Sequence, residues 1–451
     1  MKIDLLVAEI GSTTTLVNAF NIKDSCPSYL GQGQATTTVL EGDVNIGLNN
    51  AIKDLSSKLG EDIDYLELMA TSSAAGGLKM TVHGLVYDMT VKAAKEAALG
   101  AGANIKLITA AKLRQSDLNK IKEIKPNIIL LAGGVDFGER DTAIYNAKMI
   151  VSLHMDVPII YAGNIDNRDE IREMFSSANM EFYIVDNVYP RIDELNIEPT
   201  REIIQKVFEE HIVHGPGMSK IRDYVDGHIM PTPGAVMEAS KLLYSHIGDL
   251  LTIDVGGATT DIHSVTEGCE EIARISMNPE PLAKRTLEGD LGIYVNMKNV
   301  IQLIGEEKVS QALGINMTQL DDLLVNIKAI PRDDMEKEYM KLLTYHCADI
   351  ALHRHAGKLK DLYTISGKKT IAEGKDLTLI KYIIGTGGAL TKLDFSKDQI
   401  RDILKLSKGN YLLPKDSIDY IIDGDYIMAS LGVMSKKYPN QALELLKNTL
   451  R

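Results

Sequence analysis

The sequence predicts an α/β protein with at least partly parallel sheets, and two observations carry this prediction. First, short apolar runs rich in Val and Ile recur between longer amphipathic stretches along most of the 451 residues. Second, the order of strand, glycine turn, threonine pair and strand occurs twice, once near residue 10 and once near residue 255. We therefore expect two large regions that each contain such a turn.

Composition and charge exclude one class of function. The chain carries 49 Lys and Arg against 62 Asp and Glu, so its formal net charge is −13. A protein that grips nucleic acid needs clustered basic charge, and this chain also has no Trp and only 6 Phe for stacking on bases. We expect no nucleic-acid partner, whereas backbone amides and a metal ion could still hold a nucleotide.

Targeting features are missing from the sequence pattern. No segment approaches the ~20 consecutive apolar residues of a membrane span. The first apolar run is interrupted by Asp4 and Glu9, unlike the core of a signal peptide, and the 3 Cys are widely spaced. We expect a soluble cytoplasmic protein with no membrane partner.

The apolar pattern predicts the elements in chain order. Strands are expected over residues 4–10, 126–134, 157–163, 181–188, 250–257 and 382–388. Helices are expected over residues 45–59, 90–100, 140–152, 167–177 and 200–210. Because strands and helices alternate, the sheets should be at least partly parallel.

The spacing of these elements predicts three regions. The strand–helix unit repeats most tightly between about 104 and 190, which indicates a doubly wound subdomain inserted at 101–195. The first region, 1–100, contains the first glycine turn. The third region, 196–451, contains the second turn and a mostly helical subdomain at about 270–350.

The first glycine turn follows the strand that ends near Glu9. Gly11 permits a tight turn that brings backbone N–H groups towards an anion. Hydroxyl side chains that suit phosphate oxygens follow it, those of Ser12, Thr13 and Thr14. An ordinary polar hairpin would have a similar composition, so this motif alone leaves both interpretations open.

The second turn repeats the first. Its acid, Asp254, corresponds to Glu9 of the first turn, which lies 245 residues earlier in the chain. The phosphate-binding candidates that follow it are Gly256, Gly257, Thr259 and Thr260. An acid at each strand end could orient the water shell of Mg²⁺ or polarise an attacking water, and Asp254 and Glu9 are the catalytic candidates. The candidate metal ligands are Glu9, Asp254 and Asp261. Since no Gly-Lys-Ser/Thr follows either glycine, neither turn is a Walker P-loop.

A third glycine turn comes late in the chain, after the strand at 382–388. Gly385, Gly387 and Gly388 would let the backbone approach a flat ligand such as a nucleoside. A single turn of this kind is weak evidence, and it gains weight from its position after the two hairpins.

The order of these three turns resembles the ATP-binding core of actin, sugar kinases and heat-shock chaperone ATPases. The two linking helices of that superfamily have counterparts in residues 233–240 and 424–432, where small residues recur three or four apart and would permit a close crossing. The resemblance implies a two-lobed, actin-like and ribonuclease H-like ATPase fold with an inserted α/β subdomain and a helical subdomain. It also implies ATP and Mg²⁺ as cofactors, bound between the lobes.

Within that superfamily the chain resembles the accessory proteins of glutamate mutase over essentially its full length. The matching stretches are AEIGSTTT, LLAGGVDFGERDTA, VYPRIDELNIEPTR, HGPGMSKI, PTPGAVMEA and LTIDVGGATTDIHSV. The resemblance implies a chaperone-like reactivating ATPase that expels damaged cobalamin from the adenosylcobalamin-dependent mutase, whose subunits would be its partners. A small-molecule kinase of the same fold, or a nucleotide-sensing scaffold without turnover, are the alternatives.

Two residues depart from the superfamily pattern. The first acid is usually Asp and is here Glu9, and Thr232 stands where related ATPases place a Glu before the first linking helix. Fewer carboxylates around the metal predict slow hydrolysis, which suits a switch.

Two other patterns leave alternatives open. The loop at 131–141 could be a structural turn with Asp141 as helix N-cap, or a second ligand or partner site.

His346, Asp349 and His353 would share one helical face, which suits either a metal site or a partly buried polar seam.

Overall fold

The computed structural model describes residues 1–23, 26–74, 77–212, 215, 217–364, 367–393, 395–406 and 409–450. His214 and Pro216 of the HGPG stretch lie outside these residues. The strands are β1 Lys2–Ile10, β2 Thr14–Asn21, β3 Ser28–Thr36, β4 Asp64–Ser72, β5 Lys79–Gly84, β6 Asn104–Ala110, β7 Ile128–Leu131, β8 Ile159–Tyr161, β9 Phe182–Ile184, β10 Ile229–Pro231, β11 Leu250–Val255, β12 Thr260–Val265, β13 Ala283–Glu288, β14 Lys358–Thr364, β15 Gly367–Glu373, β16 Tyr382–Thr386 and β17 Asp419–Ile422.

The α-helices are distributed along the chain, and several of them begin at a side-chain N-cap. They are α1 Val44–Leu59, α2 Lys92–Gly100, α3 Gln115–Ile124, α4 Asp141–Val151, α5 Arg168–Ser177, α6 Glu198–His211, α7 Thr232–Ile247, α8 Glu270–Ala273, α9 Met297–Ile304, α10 Glu306–Leu313, α11 Met317–Asn326, α12 Asp334–His355, α13 Gly387–Lys392, α14 Lys397–Leu406, α15 Met428–Met434 and α16 Pro439–Thr449. Helix α1, for example, starts because the Asp43 carboxylate accepts from Asn45 N, and it ends at Gly60 in the left-handed conformation.

The chain forms two compact units. Unit 1 comprises Met1–Leu242 and Ala429–Leu446, and unit 2 comprises Leu243–Met428 and Lys447–Arg451. The chain passes from unit 1 to unit 2 within α7 and returns at the start of α15, the two helices predicted to link the regions. The predicted division at residues 100 and 195 stays a prediction.

The first sheet of unit 1 has the strand order β10-β4-β1-β2-β3. Strands β1, β4 and β10 are parallel, whereas β2 runs antiparallel to both β1 and β3. Strand β1 is the central strand, and all of its residues from Leu5 to Ile10 are buried because helices cover the sheet.

A second sheet of unit 1 is entirely parallel, in the order β6-β5-β7-β8-β9. This is the doubly wound subdomain expected from the sequence, with α3, α4 and α5 connecting its strands. Its strand β5 precedes residue 101 and had not been identified from the sequence. One apolar cluster runs from the first sheet into this one, through Leu6, Ala70, Val82 and Leu130.

The main sheet of unit 2 repeats the topology of the first sheet. Its order is β13-β12-β11-β16-β17, with β11, β16 and β17 parallel and β12 antiparallel to both β11 and β13. Helices α9 to α12 form the expected helical subdomain, and the core between α12 and the sheet includes Leu251, Ile253 and Leu352. A separate hairpin is formed by β14 and β15.

The two linking helices cross closely within unit 1, as the small residues predicted. Gly432 of α15 lies against the backbone of α7, and a Cβ added there would lie 1.8 Å from the carbonyl oxygen of Ala235. Such an approach admits no side chain without a shift of the backbone.

Candidate functional site

The hairpin between β1 and β2 carries the first set of predicted phosphate contacts, all in unit 1. Gly11 N donates to Thr14 O at 2.9 Å, which closes a tight turn. Ser12 and Thr13 at its tip are exposed. Glu9, opposite Leu16 on β2, is only 8% exposed, so its carboxylate lies largely inside the unit.

The hairpin between β11 and β12 in unit 2 has the same construction. Gly256 N donates to Thr259 O at 2.9 Å, and Gly257 at the tip is exposed. Thr260 is buried, and its hydroxyl donates to the carbonyl of Leu291 at 2.9 Å. Of the two threonines predicted to contact phosphate here, Thr260 therefore already has a partner inside the unit.

The segment before α9 supports this hairpin. Asn296 Nδ2 donates to the carbonyl of Ala258 at 2.7 Å, and Tyr294 N donates to the carbonyl of Gly257 at 2.9 Å. Because these carbonyls are bonded to their own unit, the conformation of the turn is fixed before any ligand arrives. Asn296 had not been singled out in the sequence.

Asp254 lies at the centre of the candidate site in unit 2. It stands directly opposite Asp261 on β12 and opposite Thr386 on β16. Burial raises the pKa of the Asp254 carboxyl to about 7, the Asp261 carboxylate raises it further, and Arg285 opposes both. An acid that titrates near neutral pH is suited to accept a proton or to bind a hydrated cation.

Asp261 is held by an arginine that sequence reasoning missed. Arg285 on β13 is 1% exposed, and its Nε and Nη2 donate to Asp261 Oδ1 at 2.8 and 2.7 Å. Burial raises the pKa of Asp261 and the guanidinium opposes this. His263 faces Arg285 across the strands, and burial lowers its pKa well below the usual range, so it is neutral.

The late glycine turn joins β16 to α13 and reaches Asp254. Gly387 has a φ of +85°, and a Cβ added there would lie 2.2 Å from Asp254 Oδ1. Gly385 is covered by Tyr420, whereas a Cβ on Gly388 would meet open space. The structure therefore brings the second hairpin and the predicted nucleoside turn to one place in unit 2.

A second missed residue, Asp423, anchors that turn. Its buried carboxylate accepts from Thr386 Oγ1 at 3.0 Å and from Met428 N at 2.9 Å. It also accepts from Thr449 Oγ1 at 2.9 Å. The acid at the start of DGDY was the available signal, but its partners lie up to 37 residues away in sequence.

The histidine stripe on α12 is a polar seam. His353 Nδ1 lies 2.9 Å from Asp349 Oδ1, and its ring meets the ring of Tyr411 edge-on at 4.8 Å. His346 instead packs against Tyr345. In the described part of the chain, no group of three or more His, Cys, Asp or Glu side chains could hold a metal ion.

The loop at 131–141 contradicts one expectation. Asp141 is the first residue of α4 and not its N-cap. The Glu139 carboxylate serves that end instead, because it accepts from both the N and Oγ1 of Thr142 at 2.8 Å. Glu139 lies two residues before Asp141, and its longer side chain reaches the Thr142 donors at the start of the helix.

None of the helices in the described residues is long and apolar enough to cross a bilayer.

Two sheets of identical strand order, each with a glycine–threonine hairpin between its first two strands, define an actin-like ATPase fold. An inserted parallel α/β subdomain and a helical subdomain complete it. The chain belongs to the MutL protein family, which matches residues 5–450. The family expected from the sequence is thereby confirmed.

A curated relative is similar along its whole length. Protein MutL of Clostridium tetanomorphum is 35% identical over 463 residues, an alignment that covers 99% of this chain and 98% of that protein.

The solved structures that are similar to this chain are more distant in sequence. A glycerol dehydratase reactivase is 11% identical with a TM-score of 0.36 and covers 96% of this chain and 100% of its own. The nucleotide-free acetone carboxylase is 12% identical with a TM-score of 0.41, covering 96% and 70%. Xylulose kinase from Bifidobacterium adolescentis is 13% identical with a TM-score of 0.30, covering 99% and 93%. The fold assignment rests on the chain's own strand order.

Proposed function

We propose that this protein is an ATP-dependent, chaperone-like reactivating factor of glutamate mutase, and that it couples ATP binding and slow hydrolysis to release of damaged cobalamin. The observation that carries the ATP-binding part is the pair of matched hairpins, at Gly11 and at Gly256. Membership of the MutL family supports the mutase as partner.

The proposed roles follow the positions of the side chains. Phosphate oxygens would be bound by the two hairpins, at Gly11, Ser12, Thr13 and Thr14 and at Gly256, Gly257 and Thr259. The fourth predicted contact of the second hairpin, Thr260, would support the turn from inside, since its hydroxyl donates to Leu291 O. The nucleoside would lie against the turn of Gly385, Gly387 and Gly388, where open space is found at Gly388. Asp254 would polarise the attacking water, since its pKa of about 7 lets it accept a proton at neutral pH.

The carboxylates fit a magnesium ion that is bound mainly through the nucleotide. Mg²⁺ in such sites keeps several waters and takes one or two protein carboxylates together with substrate phosphates, so a closed cage of three acids is not required. In unit 2, Asp254 is the best-placed candidate ligand of the ion. Asp261 would have to bind the ion while it still accepts a hydrogen bond from Arg285. Glu9 is the proposed ligand from unit 1. When bound, the ion would neutralise charge on the phosphates.

Asp423 supports the proposal that nucleotide binding at the glycine turn affects helix α15. Its carboxylate is bonded to Thr386 in the glycine turn and to the first amide of α15, the helix through which the chain returns to unit 1. A ligand that displaces the turn would therefore act on the start of that helix.

The test is Mg-ATP hydrolysis by the purified protein, alone and with purified glutamate mutase. We expect slow turnover that the mutase accelerates, and a loss of 10²-fold or more in Asp254→Asn, in the range typical of general acid–base groups. Asp321→Asn, an exposed acid on α11 of the same unit, is the matched control and should leave turnover unchanged. Equal turnover in the wild type and Asp254→Asn would contradict the assignment, and phosphate transfer to a metabolite would indicate a kinase instead.

A further inference from the structure

The carboxyl edge of the parallel sheet in unit 1 gathers exposed apolar side chains. Of nine large apolar side chains that are exposed in the described part of unit 1, six lie at this edge, on or next to the loops that follow the strands. They are Val86, Tyr87, Phe137, Tyr145, Ile165 and Ile192. In sheets of this strand order, ligands bind outside the carboxyl ends of the strands.

Three of the loops at this edge are bonded to one another. Asp136 N donates to the carbonyl of Pro190 at 2.9 Å, and Asp136 Oδ1 accepts from Ile165 N at 2.9 Å. Asn187 Nδ2 donates to the same Asp136 oxygen at 2.9 Å. The loops at 133–139, 163–167 and 186–194 therefore form one preformed surface, which we call the sheet-edge surface.

Phe137 is the most exposed large apolar side chain of this surface, at 79%, followed by Ile192 at 69%. Its backbone has a φ of +61°, a conformation that is uncommon for a bulky residue. Asn164, fully buried, holds it there by accepting from Phe137 N at 3.1 Å. An aromatic ring fixed in solvent by a buried polar anchor has the properties of an interface hot spot.

The formal charge of the sheet-edge surface indicates which kind of partner could bind to it. The loops of the sheet-edge surface, 133–139, 163–167 and 186–194, carry six carboxylates and one arginine, a formal charge of −5. A second copy of the same surface, nucleic acid or an anionic membrane would each be repelled. A protein whose apolar pocket is flanked by basic side chains would be attracted.

We propose that the sheet-edge surface is the docking site for the partner protein, with Phe137 as its central anchor inserted into an apolar pocket that is ringed by Lys and Arg. This inference rests on the proposed function, because it names the surface through which glutamate mutase would be bound.

The test measures binding of purified glutamate mutase to the full-length protein at low and high salt. Phe137→Gly removes the ring and keeps the backbone, since glycine adopts a φ of +61° freely. We expect binding to weaken at least tenfold in this variant, with unchanged thermal stability and unchanged basal ATP hydrolysis. Wild-type binding should weaken as salt increases, because the attraction is partly electrostatic.

The matched control is Val325→Ser on α11 of unit 2, where the side chain is 83% exposed. It should bind like the wild type, and Ile192→Ser should show a smaller loss than Phe137→Gly. If the wild type binds the mutase and Phe137→Gly binds equally well, the docking site is wrong while the proposed function stands. If the wild type does not bind the mutase at all, both proposals fail.

Discussion

Asp254 is subject to two opposing influences at the scale of single residues. Burial and the neighbouring Asp261 favour its protonated form, whereas the guanidinium of Arg285 favours the carboxylate. The outcome is an acid whose pKa of about 7 lies well above the usual value for an aspartate.

The raised pKa predicts a pH dependence of stability in metal-free buffer. Between about pH 4 and pH 7 the folded state binds more protons at Asp254 than the unfolded state, so the free energy of unfolding falls as pH rises through this window. Asp254→Asn should make that slope shallower by up to one proton. The measurement is denaturant unfolding at several pH values, and an unchanged slope in the variant would contradict the assigned pKa.

The ion pair of Arg285 and Asp261 predicts a large loss of stability when it is broken. Arg285→Gln removes the cation that pairs with the buried Asp261 carboxylate and should lower the free energy of unfolding by about 3–5 kcal/mol. Arg274→Gln breaks an exposed pair with Glu270 in the same unit and should cost less than about 1 kcal/mol. If Arg285→Gln lowers the free energy of unfolding as little as Arg274→Gln does, Arg285 does not stabilise the site.

Among the structural elements, the glycine turn between β16 and α13 can be tested with two neighbouring substitutions. Gly387→Ala adds a Cβ 2.2 Å from Asp254 Oδ1 at a φ of +85°, so we expect unit 2 to be destabilised by about 1–3 kcal/mol. The neighbouring Gly388→Ala adds the same group into open space and should change stability by less than about 0.5 kcal/mol. Thermal unfolding of both variants is the measurement, and equal effects would rule out the close approach to Asp254.

The two hairpins and the strands with runs of Val and Ile could be predicted because local patterns specify them. Strand β5 was missed since it lacks a Val and Ile run and carries Thr81 and His83 in its centre. The buried His83 is accommodated because it bonds to Thr81 and to Thr109 on the neighbouring strand, at 3.0 and 2.8 Å. Such a partner is known only once the strands are paired.

The same reason limits prediction of the site. The acids and glycines of each turn are local in sequence and were identified. Arg285 and Asp423 are not, since only the register of the sheet places Arg285 beside Asp261, 24 residues away. The partners of Asp261 and Asp423 are therefore set by the topology and not by any motif.

At the scale of the whole molecule, the repeated sheet is the feature from which the function is inferred. Each unit contains one sheet of the same strand order and one glycine–threonine hairpin, and the chain passes between the units within α7 and α15. The net charge of −13 is compatible with the proposal that backbone amides and Mg²⁺ would balance the charge of the nucleotide.

The most direct measurement uses glutamate mutase that has been inactivated by turnover, incubated with this protein and fresh adenosylcobalamin. We expect mutase activity to return when Mg-ATP is present, and not to return without ATP or with the Asp254→Asn variant. Recovery that is equal with and without ATP, or no recovery in any arm, would contradict the proposed function.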